Sequence, residues 1–235
     1  PAYGPLPVTV PGAVDGWVKL HEKFGKLEFK SLFKPTIKYA NEGFPVTELI
    51  AYYLDRSKER FKDYPNFKEV WMKNGKMPEK GEIFKNPQLA KTLEIIAEKG
   101  RDGFYEGDVA KTMADFIQSQ GGFLTYEDIS SFHSEWTPPV SSNYRGYDIW
   151  ELPPNGQGIA ALQILNILEN YDIQKMGLFN SEYIHLFTEA KKLAFADRAK
   201  YYADPNFSKI PVKQLISKSY AKERLKLINL KKAAK

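Results

Sequence analysis

The 235-residue sequence contains no cysteine. Disulfides, thiolate metal sites and a cysteine nucleophile are therefore excluded from it. It also lacks any run of about 18 apolar residues, the length that a membrane-spanning helix needs. Histidine is scarce: His21, His133 and His185 are the only three. They lie far apart, and none stands in a metal-ligand spacing such as HExxH. Structural roles are expected for all three, with neither a metal nor an organic cofactor. The GxSxG nucleophile elbow, the Walker phosphate loop and the dinucleotide fingerprint are all missing. The opening residues PAYGPLPVTVPG have no basic start and no long apolar core, so they do not read as a signal peptide.

What remains is an ordinary globular composition, 43% hydrophobic and 27% charged. The chain is long enough to bury a large core as one large domain or two small ones. The net charge of +5 admits a polyanion binder. A solvated lysine-rich surface is the favoured reading, because the lysines are scattered and interleaved with glutamates, as in Lys58-Glu59-Arg60 and Glu79-Lys80. No basic stripe with stacking aromatics occurs, so no nucleic-acid partner is expected, and no membrane either. The basic tail, Leu225 to Lys235, reads as a fraying helix end or linker. The sequence does not specify a compartment; a cytoplasmic one is preferred over export.

Helical punctuation dominates residues 1–132. After Pro11-Gly12, Val14, Trp17, Val18, His21 and Phe24 recur at helical spacing, and Gly25 closes the pattern. A second helix is predicted to start at Pro35 and stop at Gly43. Thr47 caps a third, and Phe67, Val70 and Trp71 mark a short amphipathic piece. Asn86-Pro87 is a cap followed by a first-turn proline, and Gly100 ends that helix. Asp108 is expected to cap the next one, and Thr125 with Asp128 spells a capping box.

The character changes at 136–152, which is rich in β-branched and aromatic residues. Val140 to Tyr144 and Tyr147 to Leu152 read as two hairpin strands around Arg145-Gly146. Residues 159–204 then read as core helices. Ile159 to Leu168 is apolar nearly all round, so it is buried on most sides and the hairpin must pack near it. Asn180-Ser181 opens the last long helix, and Asp204-Pro205 closes it. Two strands alone make a marginal sheet. Either the fold is nearly all-helical, or these strands join a sheet supplied by other sequence.

Two local features carry candidate chemistry. Asn155, Gly156, Gln157 and Gly158 lead from a strand end into the start of the buried helix. Their glycines allow close backbone approach, and exposed N–H groups at a helix start can hold a carboxylate. A tight connection with glycines for packing is the competing reading and the stronger one from sequence. Asp197 and Arg198 interrupt an apolar helical stretch. A buried charge needs a partner, so a structural ion pair is favoured there over a catalytic role.

Four ordered runs then carry a resemblance. They are PVTVPGAVDGWVKLHEKFGKLEFKSLFKPTIKYANEGFPV (7–46), DGFYEGDVAKTMADFIQSQGGFLTYEDISSF (102–132), LPPNGQGIAALQILNILE (152–169) and EAKKLAFADRAKYYADPNF (189–207). In this order they resemble the large-subunit region of the γ-glutamyltranspeptidase family over nearly the whole chain. The resemblance implies an α+β fold: a helix-rich segment of a four-layer αββα N-terminal-nucleophile hydrolase, with much of the central sheet supplied by sequence outside this chain. Residues 1–235 would form a single domain segment.

The resemblance also implies a precursor that cleaves itself, exposing an N-terminal threonine at the start of a small subunit. Such a threonine attacks the substrate carbonyl with its own amine as base. No residue of this chain matches that nucleophile: Pro1 has no hydroxyl. The family's substrate-gripping arginine precedes the VPG run and is not among these residues, so no catalytic residue is carried over. The implied partners are the small subunit of the same precursor, a small γ-glutamyl or amide substrate, and a second copy in a homodimer of processed heterodimers. LPPNGQG departs from the PPPSSGG run of transpeptidases acting on glutathione. It is closer to the branch of transpeptidase-like proteins and acylases. An acylase on other amides and a non-catalytic helical scaffold therefore stand as alternatives.

Overall fold

A computed structural model describes residues 1–234; Lys235, the last residue of the basic tail, lies outside the described residues. The chain divides into two compact units, 1–134 and 135–235.

In the first unit the helices follow the caps. Helix α1 spans Ala13–Phe24, α2 Phe29–Glu42, and α3 Glu48–Phe61 with the Thr47 side chain accepting from the Ile50 amide. The short α4 is Phe67–Trp71. Helix α5, Pro87–Lys99, starts under an Asn86 cap and ends at Gly100. Then come α6 (Asp102–Tyr105), α7 (Gly107–Ser119) and α8 (Tyr126–Ser130), the last under the complete Thr125–Asp128 capping box. Helices α2 and α5 pack on each other. Phe33, Leu93, Ile96 and Ile129 share one core with Val14 and Tyr105.

Two boundaries differ from expectation. Helix α2 begins six residues before Pro35, which sits inside it. Proline costs a helix one backbone hydrogen bond, and here the buried Phe33 and Ala40 hold the helix together across it. Asp108 lies in the first turn of α7 rather than at its cap. The capping position is Glu106, which makes no side-chain cap bond. A two-residue ladder, β1 (Phe44–Pro45) with β2 (Ile83–Phe84), was too short to leave a pattern.

The second unit opens with the hairpin. Strand β3, Val140–Tyr144, pairs antiparallel with β4, Tyr147–Glu151, in the register Val140↔Glu151 to Tyr144↔Tyr147. Arg145 and Gly146 both adopt positive φ, as a two-residue hairpin turn of this hand requires. Helix α9, Gly158–Leu168, packs against both strands and against α11, Ser181–Tyr201. The short α10 (Ile173–Met176) and α12 (Val212–Leu215) and the final α13 (Lys218–Leu225) complete the unit. Ile159, Leu162 and Leu215 form one apolar cluster, with Val140 and Ile149 of the hairpin against it. Each such fully buried aliphatic side chain contributes about 1.5–3 kcal/mol. Ile167, Leu168, Leu186 and Ala190 form a second cluster. Among the described residues no helix is long and apolar enough to cross a membrane.

Candidate functional site

The loop Asn155–Gly158 stands where β4 gives way to α9. Asn155, Gly156 and Gln157 are exposed, while Pro154 before them and Ile159 after them are buried. The buried flanks pin the loop, and its tip projects. Gly158, the first residue of α9, is there for space. A methyl group on it would lie 2.6 Å from Glu151 Oε2 and 2.8 Å from the Leu152 carbonyl oxygen. Gly156 is different, because a methyl group there would meet nothing within 4 Å. Its lack of a side chain keeps the tip open rather than relieving a clash. Gln157 occupies the N-cap without a side-chain cap bond. The carboxylate of Glu151 lies against Gly158 and so faces the positive end of the α9 dipole, a favourable placement.

Behind the loop, α9 carries two polar residues inside its apolar surface, and both are buried: Gln163 and Asn166. Gln163 donates through Nε2 to Asp197 Oδ2 at 2.8 Å and accepts at Oε1 from the Tyr202 hydroxyl at 2.5 Å. The Tyr220 hydroxyl donates to Asp197 Oδ1 at 2.9 Å, and Arg224 reaches the same oxygen at 3.1 Å. Arg224 also donates to the Leu193 carbonyl at 3.0 Å. Burial, then the charge of Asp197, pushes the Tyr202 phenol far above its ordinary value. Burial, then the hydrogen bond to Asp197 and its charge, pushes Tyr220 up to about 12. Both hydroxyls therefore stay protonated at neutral pH and act as fixed donors. Asn166 joins β3, α9, α13 and the turn before it: its amide oxygen accepts from Ser142 and from Lys218, each at 2.7 Å, and its Nδ2 donates to the Ile216 carbonyl at 2.7 Å.

The expected Asp197–Arg198 ion pair is corrected by this geometry. Asp197 is 4% exposed and pairs with Arg224, whereas Arg198 is exposed and rests its guanidinium over the Phe195 ring, 5.4 Å from the centroid. Adjacent residues on a helix point about 100° apart, so one faces the interior while the next faces solvent. Asp197 does hold elements together, but through a partner 27 positions later, which no local spacing reveals. No motif in the sequence marks Gln163, Asn166, Tyr202, Tyr220 or Arg224. The usable signal was Gln163 and Asn166 themselves, polar residues at i and i+3 in a helix otherwise apolar all round.

The first unit contains a comparable knot, built from the first two sequence runs and from Arg101 and Ser134 beside the second. Asp15 is 1% exposed. Its carboxylate accepts from Arg101 Nε at 3.0 Å and from the Ser134 amide at 2.6 Å. Arg101 also donates to the Ser130 and Phe132 carbonyls, at 2.8 and 2.7 Å. The Tyr105 hydroxyl donates to the Pro11 carbonyl at 2.6 Å. Phe132 stacks on Tyr105 and crowds Gly12, where a methyl group would lie 3.0 Å from its ring. Burial by itself would raise the Asp15 carboxyl; the bonds from Ser134 and the charges of Lys19 and Arg101 outweigh it and hold the carboxyl below its ordinary value. Two of the three histidines are tied to backbone: His21 Nε2 lies 2.7 Å from the Leu27 carbonyl oxygen, and His185 Nε2 lies 2.8 Å from that of Asn229. Among the described residues no group of three or more His, Asp or Glu is placed to hold a metal ion.

The projecting loop and the carboxylates at the centre of both knots, Asp15 and Asp197, fall inside the four ordered runs, and the match to known proteins extends over all of those runs. The family model described as gamma-glutamyltranspeptidase covers residues 1–235. The chain belongs to the γ-glutamyltranspeptidase family. It is 40% identical over 216 residues to the glutathione hydrolase-like YwrD proenzyme of Bacillus subtilis, covering 92% of this chain and 41% of that relative. Among solved structures, a γ-glutamyltranspeptidase of Helicobacter pylori superposes with a TM-score of 0.91 at 36% identity, over 97% of this chain and 66% of that one. A cephalosporin acylase of Bacillus halodurans does so with a TM-score of 0.91 at 39% identity, over 97% of this chain and 44% of that one. The fold is thus a helix-rich segment of a γ-glutamyltranspeptidase-type N-terminal-nucleophile hydrolase. This chain spans about two fifths of the length of the curated relatives it matches. Two two-stranded ladders are all the sheet among the described residues, as fits a helix-rich segment of that fold.

Proposed function

We infer that this chain is the large-subunit part of an enzyme that hydrolyses or transfers γ-glutamyl groups, those of glutathione and related amides, through an acyl-enzyme on an N-terminal threonine made by self-cleavage. The observation that carries the reading is the match of the γ-glutamyltranspeptidase family over all 235 residues. The threonine, and the arginine that grips the substrate, would lie in sequence outside this chain. Residues 1–235 serve as one segment of the hydrolase domain, and the partner is the small subunit of the same precursor. The assembly is a homodimer of such processed pairs, in the cytoplasm.

Within that reading, Asn155–Gly158 line the substrate site and the Asp197 knot holds α9 in place behind them. Glu151 beside Gly158 already supplies negative charge at the helix start. That favours a part of the substrate other than its carboxylates against this loop.

The second reading is an acylase on other amides. Its support is the NGQG loop and the 39% identity to a cephalosporin acylase. The test is to express the full-length precursor, follow its conversion into two subunits, and assay it with a γ-glutamyl anilide and a glutaryl amide. Turnover of the anilide is expected. Turnover of the glutaryl amide alone selects the acylase, and self-cleavage without turnover of either removes both readings. A precursor that never cleaves leaves the scaffold alternative.

A further inference from the structure

The C-terminal segment does not trail away from the second unit. It turns back and lies along one stripe of α11. After α13 ends at Leu225, Ile228 packs into the cluster formed by Ile167, Leu186 and Ala190. The Asn229 side chain then accepts from the Lys231 amide at 2.8 Å, bending the chain. The Asn229 carbonyl oxygen meets His185 Nε2 at 2.8 Å. Five residues on, the Ala234 amide donates to Glu189 Oε2 at 3.1 Å, and the Ala234 carbonyl accepts from Lys192 Nζ at 2.8 Å. Lys192 also bonds Glu189 Oε1 at 2.7 Å. His185, Glu189 and Lys192 are spaced i, i+4 and i+7, which places all three on one face of the helix.

Glu189 makes this more than a surface contact. It is 3% exposed, although it lies on a helix whose neighbouring polar side chains face solvent. A buried carboxylate is retained only where its oxygens are satisfied. Here one oxygen is satisfied by Lys192 and the other by the backbone of the returning segment. Both polar groups of Ala234 are engaged, as in a strand pairing, yet the partner is a pair of side chains. The arrangement reads no side chain of the segment at that point; it grips the main chain and sets its direction.

We propose that Glu189, with His185 and Lys192, is a dock for the segment Asn229–Ala234, and that this dock aims the precursor chain beyond it toward the self-cleavage junction. These are positioning residues for processing. The proposal rests on the self-cleaving-precursor reading above. A misaimed junction loses the alignment on which an intramolecular attack depends.

The test uses the full-length precursor, with two substitutions that break the dock from opposite sides. Glu189→Ala removes the acceptor. Ala234→Pro removes the donated N–H at a residue whose own side chain is exposed. Lys232→Ala, at an exposed position of the same segment, is the control. The expected result is that Glu189→Ala and Ala234→Pro each slow the appearance of the two subunits by about tenfold or more, while Lys232→Ala does not. Hydrogen exchange should rise at the amides of 230–234 in Glu189→Ala and stay unchanged in α9. If the wild type cleaves and both dock variants cleave at its rate, the dock has no role in processing and the proposal is overturned. If Glu189→Ala fails to fold, Ala234→Pro decides alone. If the wild type itself never cleaves, the precursor reading fails and the aiming role falls with it; unchanged exchange at 230–234 would remove the dock as well.

Discussion

Asp15 shows how much of this fold hangs on single buried charges. Its two oxygens tie α1 to Arg101 and to the Ser134 backbone, and Arg101 ties in turn to the end of α8. Asp15→Ala leaves Arg101 without its buried partner and should lower the unfolding free energy by about 3–5 kcal/mol, measured by urea titration. The pH dependence has a definite sign. The folded-state carboxyl lies below its ordinary value, so its contribution is complete above about pH 4 and is lost as pH falls through the depressed value. The wild-type urea midpoint should therefore fall more steeply than that of Asp15→Asn as the pH is taken below about 4. Parallel profiles would mean that the carboxylate is not held as described. The two loop glycines separate structure from function in the same way. Gly158→Ala should destabilise by about 1–3 kcal/mol, because the methyl group meets a backbone oxygen at 2.8 Å. Gly156→Ala has open space and should stay within about 0.5 kcal/mol of wild type. A fall in kcat/KM for Gly156→Ala at unchanged stability would place the loop at the substrate. No change in either quantity would reduce it to a connection.

At the scale of elements, α9 is the pivot of the second unit. Its apolar residues pack against the hairpin on one side and α11 on another, while Gln163 and Asn166 lock its rotation. Leu162→Ala, at a fully buried site, should cost about 2–5 kcal/mol. Tyr202→Phe keeps the ring and removes only the bond to Gln163, for a cost of about 1–2 kcal/mol. Both are read by thermal or urea unfolding. A larger loss of kcat/KM than of stability in Tyr202→Phe would tie the rotation of α9 to the loop at its start. Elements with a clear local cap were legible in advance: α3, α5, α8 and α11 begin at Thr47, Asn86, Thr125 and Asn180. The hairpin was legible through Arg145-Gly146. The start of helix α2 is not legible locally: Pro35 signals a first turn, but burial of Phe33 and Ala40 carries the helix through it. Helix α13 leaves no periodic signal, because its polar sequence has no stripe of its own and it is held by Arg224 and Tyr220 reaching into the Asp197 knot.

At the scale of the whole molecule, the first unit leaves a band of large apolar side chains uncovered. Trp17, Leu20, Phe24, Leu27 and Leu32 are 46%, 52%, 63%, 66% and 48% exposed. Trp17, Leu20, Phe24 and Leu32 border a hollow of about 550 Å³. Patches of this kind on a soluble surface mark contacts with other protein. Residues 1–235 expressed alone should therefore bind a hydrophobic dye and scatter light at concentrations where the full-length precursor does neither. Equal behaviour of the two would mean that this face is not covered in the whole protein.

The sequence by itself determined the family, the helical punctuation and the hairpin. Caps, turns and motif order are local, and each is specified by residues a few positions apart. It also marked the Asn155–Gly158 loop and the need of Asp197 for a partner. Only the tertiary structure decided that the partner is Arg224 and not Arg198, and that Gln163 stands between Asp197 and Tyr202. It alone placed Glu189 under the returning chain end. These are contacts between residues tens of positions apart, and the sequence records only that a buried charge must be satisfied, not which distant group satisfies it.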